Sequence, residues 1–240
     1  MRYLSDDLPF SGVTAVVTSR VARKQGIAGR LTAHAVSQDA KAGALVCGLG
    51  MFEQGFYDRL GFGTGPCDQQ IGFDPRMLNV PFATRAPKRF TSEDAARLHQ
   101  ARLNASKEHG YVTFFSQKLT ESDIANSTNG FGLGYVDASG SITHHFWCNA
   151  TEPGHGPYHI KWIAFQNRDQ FLELLGVIRS LGDQVRLMTL IEPPFIQMQD
   201  FVSEPIQSRA VTRGSDLATF GRNLAWWQHR MVDLPGCLAQ

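Results

Sequence analysis

Arg23, Gly26 and Ala28 stand in the pattern Arg-x-x-Gly-x-Ala, with Arg20 and Lys24 beside them. Cationic side chains around a small-residue turn suit the holding of an anion. The first N–H groups of a helix have no intrahelical partner, the helix N-terminus carries partial positive charge, and small residues let a pyrophosphate reach the amides. Arginine and lysine add charge-assisted donors. The hexapeptide alone is equally compatible with a basic turn ahead of an ordinary surface helix. A second group lies downstream, where Glu53 and Tyr57 occupy the run EQGFYDRLGFG. A carboxylate can accept a proton and a phenol of pKa about 10 can donate one. The plainer readings are a solvated acid starting a short helix for Glu53 and a core aromatic covering Gly61 for Tyr57.

Other reactive side chains are less promising. His144 and His145 adjoin on an expected strand, so they point to opposite faces and cannot share one ligand. His155 and His159 flank a Gly/Pro turn without carboxylate or cysteine companions, which reads as solvated. Cys47, Cys67, Cys148 and Cys237 are far apart and form no Cys-x-x-Cys pair, against both a zinc site and a dense disulfide framework. No metal is expected.

An anion loop needs a strand in front of it and a helix behind. Residues 13–18, VTAVVT, are β-branched and largely apolar and predict a buried strand. Residues 25–37 predict a helix with Ile27, Leu31 and Ala35 on its apolar stripe, and the glycines 26 and 29 in its first turns suggest a close approach to the backbone. Residues 44–47 predict a second buried strand, followed by a short segment over 52–60. Strand, helix, strand implies a parallel pair, a right-handed crossover and a ligand crevice at the strand ends. Residues 79–89 carry prolines and charged breakers and read as a linker. Thr91-x-x-Asp94 reads as a capping box. A hairpin over 131–136 and 142–148, a strand over 159–165, an amphipathic helix with Phe171, Leu174, Leu175 and Ile178 on one stripe, and a strand over 185–191 follow. The second half thus echoes the first without its glycines.

In that context, residues 13–65 resemble the acetyl-CoA-binding core of the GCN5-related N-acetyltransferases, with their [QR]-x-x-G-x-[GA] loop and downstream Y-x-x-x-G-F. The run 53–63 is more narrowly similar to the S-E-G-G-I-Y-G-R-F-G-Y-G segment of the enhanced-intracellular-survival acetyltransferases; Phe52 stands where that segment has its serine. The resemblance implies an α/β fold with a mixed sheet: a first acetyltransferase domain over 1–80, a linker over 81–89, and a second, degenerate acetyltransferase-like domain over 90–221. Residues 222–240, which include Trp226 and Trp227, resemble the lead into a sterol-carrier-like third domain, where that pair would be buried.

The same resemblance implies acetyl-CoA as cosubstrate. Its pantetheine arm would lie on the backbone of Val16, Val17 and Thr18, and its pyrophosphate in the loop of Arg23, Lys24, Gln25, Gly26, Ile27 and Ala28. Tyr57 would be the acid for the departing thiolate, with Glu53 the nearest candidate base. A primary amine would be the acceptor (an aminoglycoside, a polyamine or a lysine-like amine), attacked directly in a ternary complex, and the protein would be a homo-oligomer, a hexamer in the family. Only twelve residues precede Val13, where the family has several strands and a helix, and the third domain is almost wholly absent. The chain therefore reads as a fragment. The alternative to an active enzyme is a catalytically incomplete fragment or a CoA-binding or assembly module.

With 240 residues, 42% hydrophobic and 19% charged, the chain can bury one large core or two small ones. Its net charge of +1 lacks the surplus of a nucleic-acid binder. No apolar run serves as a signal-peptide core or a membrane span. No nucleic-acid or membrane partner is expected, and the expected location is the cytoplasm. A different nucleotide-binding βαβ protein is disfavoured, because the glycines match neither G-x-G-x-x-G nor G-x-x-x-x-G-K-[ST].

Overall fold

The computed structural model describes the chain except for residues 52, 54, 107–111, 114, 204, 206–218 and 240. In chain order the elements are β1 (Arg2–Tyr3), β2 (Asp6–Asp7), β3 (Phe10–Gly12), α1 (Ile27–Lys41), β4 (Val46–Gly50), β5 (Gly63–Thr64), β6 (Asp68–Phe73), β7 (Lys88–Phe90), α2 (Ala95–Asn104), β8 (Val112–Thr113), α3 (Gln117–Ala125), β9 (Phe131–Val136), β10 (Ile142–Ala150), β11 (Tyr158–Ala164), α4 (Arg168–Ser180), β12 (Met188–Ile191), β13 (Phe220–Leu224), β14 (Trp227–Met231) and α5 (Leu234–Leu238). They form two compact units. The first comprises Asp7–Asp68 and Asn223–Gln240 with Met1, and the second comprises Arg2–Asp6 and Gln69–Arg222.

The first unit is built on a four-stranded sheet of order β3-β4-β14-β5. β3 and β4 are parallel, as a strand-helix-strand crossover requires, while β14 runs antiparallel to both β4 and β5. Side chains alternate across the sheet. Cys47 and Leu49 of β4 join Val36 of α1, Tyr57 and Phe62 in one buried cluster.

α1 differs from its expected form. It starts at Ile27 and runs to Lys41, and the side chains it buries are Thr32 and Val36, while Leu31 is 62% exposed and Ile27 is also exposed. The stripe of every-fourth apolar residues was therefore the wrong face. Small side chains let the helix sit against the sheet, and burial of Thr32 and Val36 follows from which face abuts β4 rather than from side-chain hydrophobicity. The expected strand over 13–18 is likewise displaced, since the ladder is formed by Phe10–Gly12.

The second unit has a seven-stranded mixed sheet of order β13-β6-β12-β11-β10-β9-β7. Alternation along β10 assigns its two faces. His144 reaches Glu173 on α4, and Phe146 and Cys148 enter the cluster of Phe171, Leu174, Leu175 and Ile178. His145 and Trp147 turn the other way, toward Phe90, Leu98 and Trp162, where the Trp147 and Trp162 rings stack at 5.7 Å. Each fully buried aliphatic or aromatic side chain here removes apolar surface worth roughly 1.5–3 kcal/mol. The two histidines therefore do lie on opposite faces.

Residues 81–89, expected to link two domains, are packed into this unit. A Cβ on Gly176 of α4 would lie 2.7 Å from the backbone of Pro81 and Ala83, so only glycine admits that segment. Arg85 then makes two parallel hydrogen bonds to Glu173, at 2.8 and 2.7 Å, and β7 pairs with β9. The Thr91 capping box forms as expected, Thr91 N donating to Asp94 and Glu93 N donating to Thr91 Oγ1. The hairpin, the third strand and the amphipathic helix of this half also form as expected.

Both units contain the same motif. A strand, a crossover helix and a second, parallel strand recur as β3-α1-β4 and β11-α4-β12, and in the second unit β11 pairs with β12 only at Tyr158 and His159. Directly after β11, Phe165 packs on Phe171 at 4.8 Å, and Phe171 packs on Phe201 at 5.7 Å.

Candidate functional site

In the first unit the parallel pair opens at a defined point. The last bond between its strands is Val13 N–H to the carbonyl of Gly48, at 2.9 Å. Beyond it, residues 14–19 run outside any strand. Ala15 takes a left-handed φ of 55°, which turns the chain away, and Val17 is 86% exposed. β-branched residues favour a pleated surface with neighbours to pack on, and of residues 13–18 only Val13 packs against the buried cluster of this unit. Among the described residues the backbone of Val16, Val17 and Thr18 makes no hydrogen bond. Backbone donors and acceptors in an extended run are thus open to a ligand.

The chain then enters α1 through a short turn, Arg20–Ala22. Lys24 adopts φ 62° and Gly26 φ 72°, and Gly26 is the residue that caps the helix. No side chain caps α1 among the described residues, and its first turn holds no acidic residue. Arg30 N–H makes the first intrahelical bond, to the carbonyl of Gly26 at 3.1 Å. The amides of Ile27, Ala28 and Gly29 therefore remain available, at the positive end of a 15-residue helix. Arg20, Arg23, Lys24 and Gln25 are exposed around them. Among the described residues, Cβ atoms added on Gly26 and Gly29 would meet nothing within 4 Å.

Tyr57 precedes a single turn, Asp58–Leu60, and its carbonyl accepts from Leu60 N–H at 2.8 Å and Phe62 N–H at 3.3 Å. Its ring is 3% exposed, held edge-on by Phe56 at 4.9 Å and Phe62 at 6.1 Å. Burial raises the phenol above its ordinary pKa near 10. Glu53 is exposed and makes no hydrogen bond or ion pair among the described residues. Phe52 and Gln54, its neighbours, lie outside the described residues.

Sequence reasoning missed a third group, which β14 brings to the same unit. Trp226 accepts from Met51 N–H through its carbonyl at 2.7 Å, which places it at the end of β4. The indole N–H groups of Trp226 and Trp227 both donate to Asp68 Oδ2, at 2.9 and 3.1 Å. Both residues are exposed, at 47% and 40%. On the opposite face of β14, Gln228 Nε2 donates to Asp58 Oδ1 at 2.7 Å, and Arg230 Nη1 donates to the carbonyl of Leu60 at 2.6 Å. These partners are separated by more than 150 residues of sequence, and no local pattern could have joined them.

Two features of the chain invite comparison with known proteins: a parallel pair that opens after three residues, and a helix entered through an uncapped basic glycine turn. No family model matches the chain and no curated protein is similar to it in sequence. Solved structures do match. Over 97% of this chain, a GCN5-related N-acetyltransferase of Kribbella flavida superposes with a TM-score of 0.67 at 16% identity, and Eis1 of Mycobacterium abscessus with 0.74 at 17%. A GCN5-related N-acetyltransferase of Anabaena variabilis superposes over 94% of the chain with 0.73 at 14%. The chain has the GCN5-related N-acetyltransferase fold. The superpositions extend over nearly the whole chain, and the strand-helix-strand motif of the first unit recurs in the second.

The chain spans 54%, 59% and 55% of the lengths of those three proteins. Within this acetyltransferase fold no group of three or more potential metal ligands occurs among the described residues. No helix among them is long and apolar enough to cross a membrane.

Proposed function

We propose that this chain is an acetyl-CoA-dependent N-acetyltransferase acting on a primary amine, with aminoglycosides, polyamines and lysine-like amines as the acceptor class and direct attack in a ternary complex as the route. The observation that carries the reading is the N-terminus of α1, which lacks a side-chain cap and an acidic first turn and is entered through left-handed Lys24 and Gly26. The corresponding end of α4 is closed. Asn167 caps it by accepting from Gln170 N–H at 3.0 Å, Gln170 in turn accepts from Gln166 N–H at 2.8 Å, and Asp169 occupies its first turn. One chain therefore contains an open and a closed version of the same device, and only the open one suits a pyrophosphate.

On this reading the amides of Ile27 and Ala28, with Arg23, Lys24 and Gln25, take the pyrophosphate, and the backbone of Val16, Val17 and Thr18 takes the pantetheine arm. The thioester supplies the acetyl group and a thiolate leaving group. An alkylammonium of pKa about 10.4 must lose a proton before it attacks, and Glu53, exposed at the start of the Tyr57 segment, accepts it directly or through water. Negative charge develops on the carbonyl oxygen, and the Val17 N–H, unpaired among the described residues, is the donor assigned to it on this reading. The Tyr57 phenol, kept protonated through neutral pH by its raised pKa, gives its proton to the departing sulfur.

Calorimetric titration with CoA, followed by measurement of thiol release from acetyl-CoA across a panel of mono-, di- and polyamines, tests the proposal. Binding at one site and amine-dependent thiol release are expected. Absence of heat with both CoA and acetyl-CoA would overturn it.

A further inference from the structure

We propose that Gln228 and Arg230 of β14 are positioning residues for Tyr57, an inference that rests on the assignment of Tyr57 as the acid. The Tyr57 segment is too short to hold itself. Its regular part is the single turn Asp58–Leu60, with no buried residue of its own, and Gly61 closes it at φ 78°. A turn of this length has little internal cooperativity. Two side chains from β14 grip it at both ends.

Gln228 is fully buried, and its amide donates to the Asp58 carboxylate at 2.7 Å, a hydrogen bond strengthened by the carboxylate charge. Arg230 donates to the Leu60 carbonyl at 2.6 Å, and its guanidinium lies beside Gly61, where an added Cβ would come within 3.4 Å of Nε. β14 is itself fixed by ladders to β4 and β5 on either side. The chain from 57 to 61 is thus tied to the centre of the sheet at Asp58 and at Leu60, on either side of Arg59.

A proton donor must meet the leaving sulfur within hydrogen-bond reach, and a misplacement of about 1 Å can cost on the order of 100-fold in rate. Neither side chain needs to touch a substrate to exert this effect. Gln228 and Arg230 set where the Tyr57 phenol stands, and their contribution vanishes once that phenol is removed. A residue that merely stabilised the unit would slow the reaction, or lower the folded fraction, whether or not Tyr57 were present.

The test is a double-mutant cycle on kcat with the full chain and a diamine acceptor, comparing Tyr57→Phe, Arg230→Met, Gln228→Leu and the two corresponding double variants, with Arg230→Lys as the conservative control. CoA affinity by calorimetry and thermal unfolding identify any variant that does not fold. Tyr57→Phe is expected to lower kcat at least 10-fold. Arg230→Met and Gln228→Leu are expected to lower kcat about 10-fold, with KM for acetyl-CoA within 2-fold, but to change it less than 2-fold in the Tyr57→Phe background. Arg230→Lys, which keeps a donor for the Leu60 carbonyl, should recover most of the loss. In the single variants the fall of kcat at high pH, where the phenol ionises, should flatten. Additive losses, or full activity in folded Arg230→Met and Gln228→Leu beside a slow Tyr57→Phe, overturn the positioning role alone. A fully active Tyr57→Phe overturns the acid assignment and the positioning role with it, and so does a chain that binds acetyl-CoA but turns over no amine. If Arg230→Met and Gln228→Leu both fail to fold, Gln228→Asn, which keeps an amide in the buried site but draws it back from Asp58, carries the cycle, and full activity or additivity with Tyr57→Phe there is equally decisive against the role.

Discussion

Gln228 and Asp58 are joined by a 2.7 Å hydrogen bond across 170 residues of sequence. The bond belongs to the first unit, yet the stretch Gln69–Arg222, which makes up nearly all of the second unit, lies between its partners in sequence. The candidate acid, the open helix and the sheet that supports both are consequently assembled from two distant stretches of chain.

Arg23→Glu should weaken CoA binding. A charge-assisted contact to phosphate contributes about 1.5–3 kcal/mol, so reversing the charge should raise Kd by roughly 10- to 100-fold. Arg23 is exposed and outside the helix, so the melting temperature should stay within a degree or two. Isothermal titration at two salt concentrations measures this, and an unchanged Kd would remove Arg23 from the loop's function.

CoA should bind with a stoichiometry of one per chain, although the chain has two acetyltransferase-like units. The N-terminus of α4 carries its own Asn167 cap and Asp169, and Phe171 in its first turn is packed between Phe165 and Phe201. Two heats of comparable size in one titration would contradict the reading of α4 as closed.

Acid should destabilise the second unit through His145. The ring is fully buried, and loss of hydration, helped by the nearby Arg102 charge, pushes its pKa down to about 3. The unfolded state, titrating near 6.5, therefore binds a proton that the folded state refuses. Stability from this group is complete above pH 6.5 and is lost as pH falls toward 3, at about 1.4 kcal/mol per pH unit. His145→Gln, which retains an acceptor for the Trp162 indole N–H now 2.9 Å from Nε2, should show a shallower decline of urea-unfolding free energy between pH 6 and 4.

Leu174→Ala should cost about 2–5 kcal/mol, the range for emptying a packed aliphatic site, because Leu174 is fully buried between α4 and the sheet. Leu31→Ala on α1, a chemically identical change at an exposed position, should cost less than about 1 kcal/mol. Denaturant melts of the two variants would reverse the assignment of core and surface if the order were inverted.

What the sequence made legible was local. The capping box at Thr91 depends on residues a few positions apart and forms as expected, while Gly26, expected in the first turns of the helix, stands just before it as its cap. The strand ahead of the loop begins three residues and ends six residues before the stretch 13–18, because VTAVVT has the composition of a strand but its chain leaves β4 after the Val13–Gly48 bond, turning at left-handed Ala15. The face of α1 was misread because Ile27 and Leu31 are its large apolar residues while the sheet takes Thr32 and Val36. The run that holds Trp226, Trp227, Gln228 and Arg230 was legible only as the lead into a further domain, and the bonds to Asp68, Asp58 and Leu60 had no signal, since those partners lie far away in the sequence.

β14 occupies an inner position in the sheet of the first unit but is translated after everything in the second. On the ribosome the second unit can collapse as soon as residues up to 222 have emerged, whereas β4 and β5 must wait with a gap between them. Vectorial synthesis therefore makes the unit with the open helix the later of the two to close, and a stalled or truncated translation product ending before β14 would expose the unpaired edges of β4 and β5 to other chains.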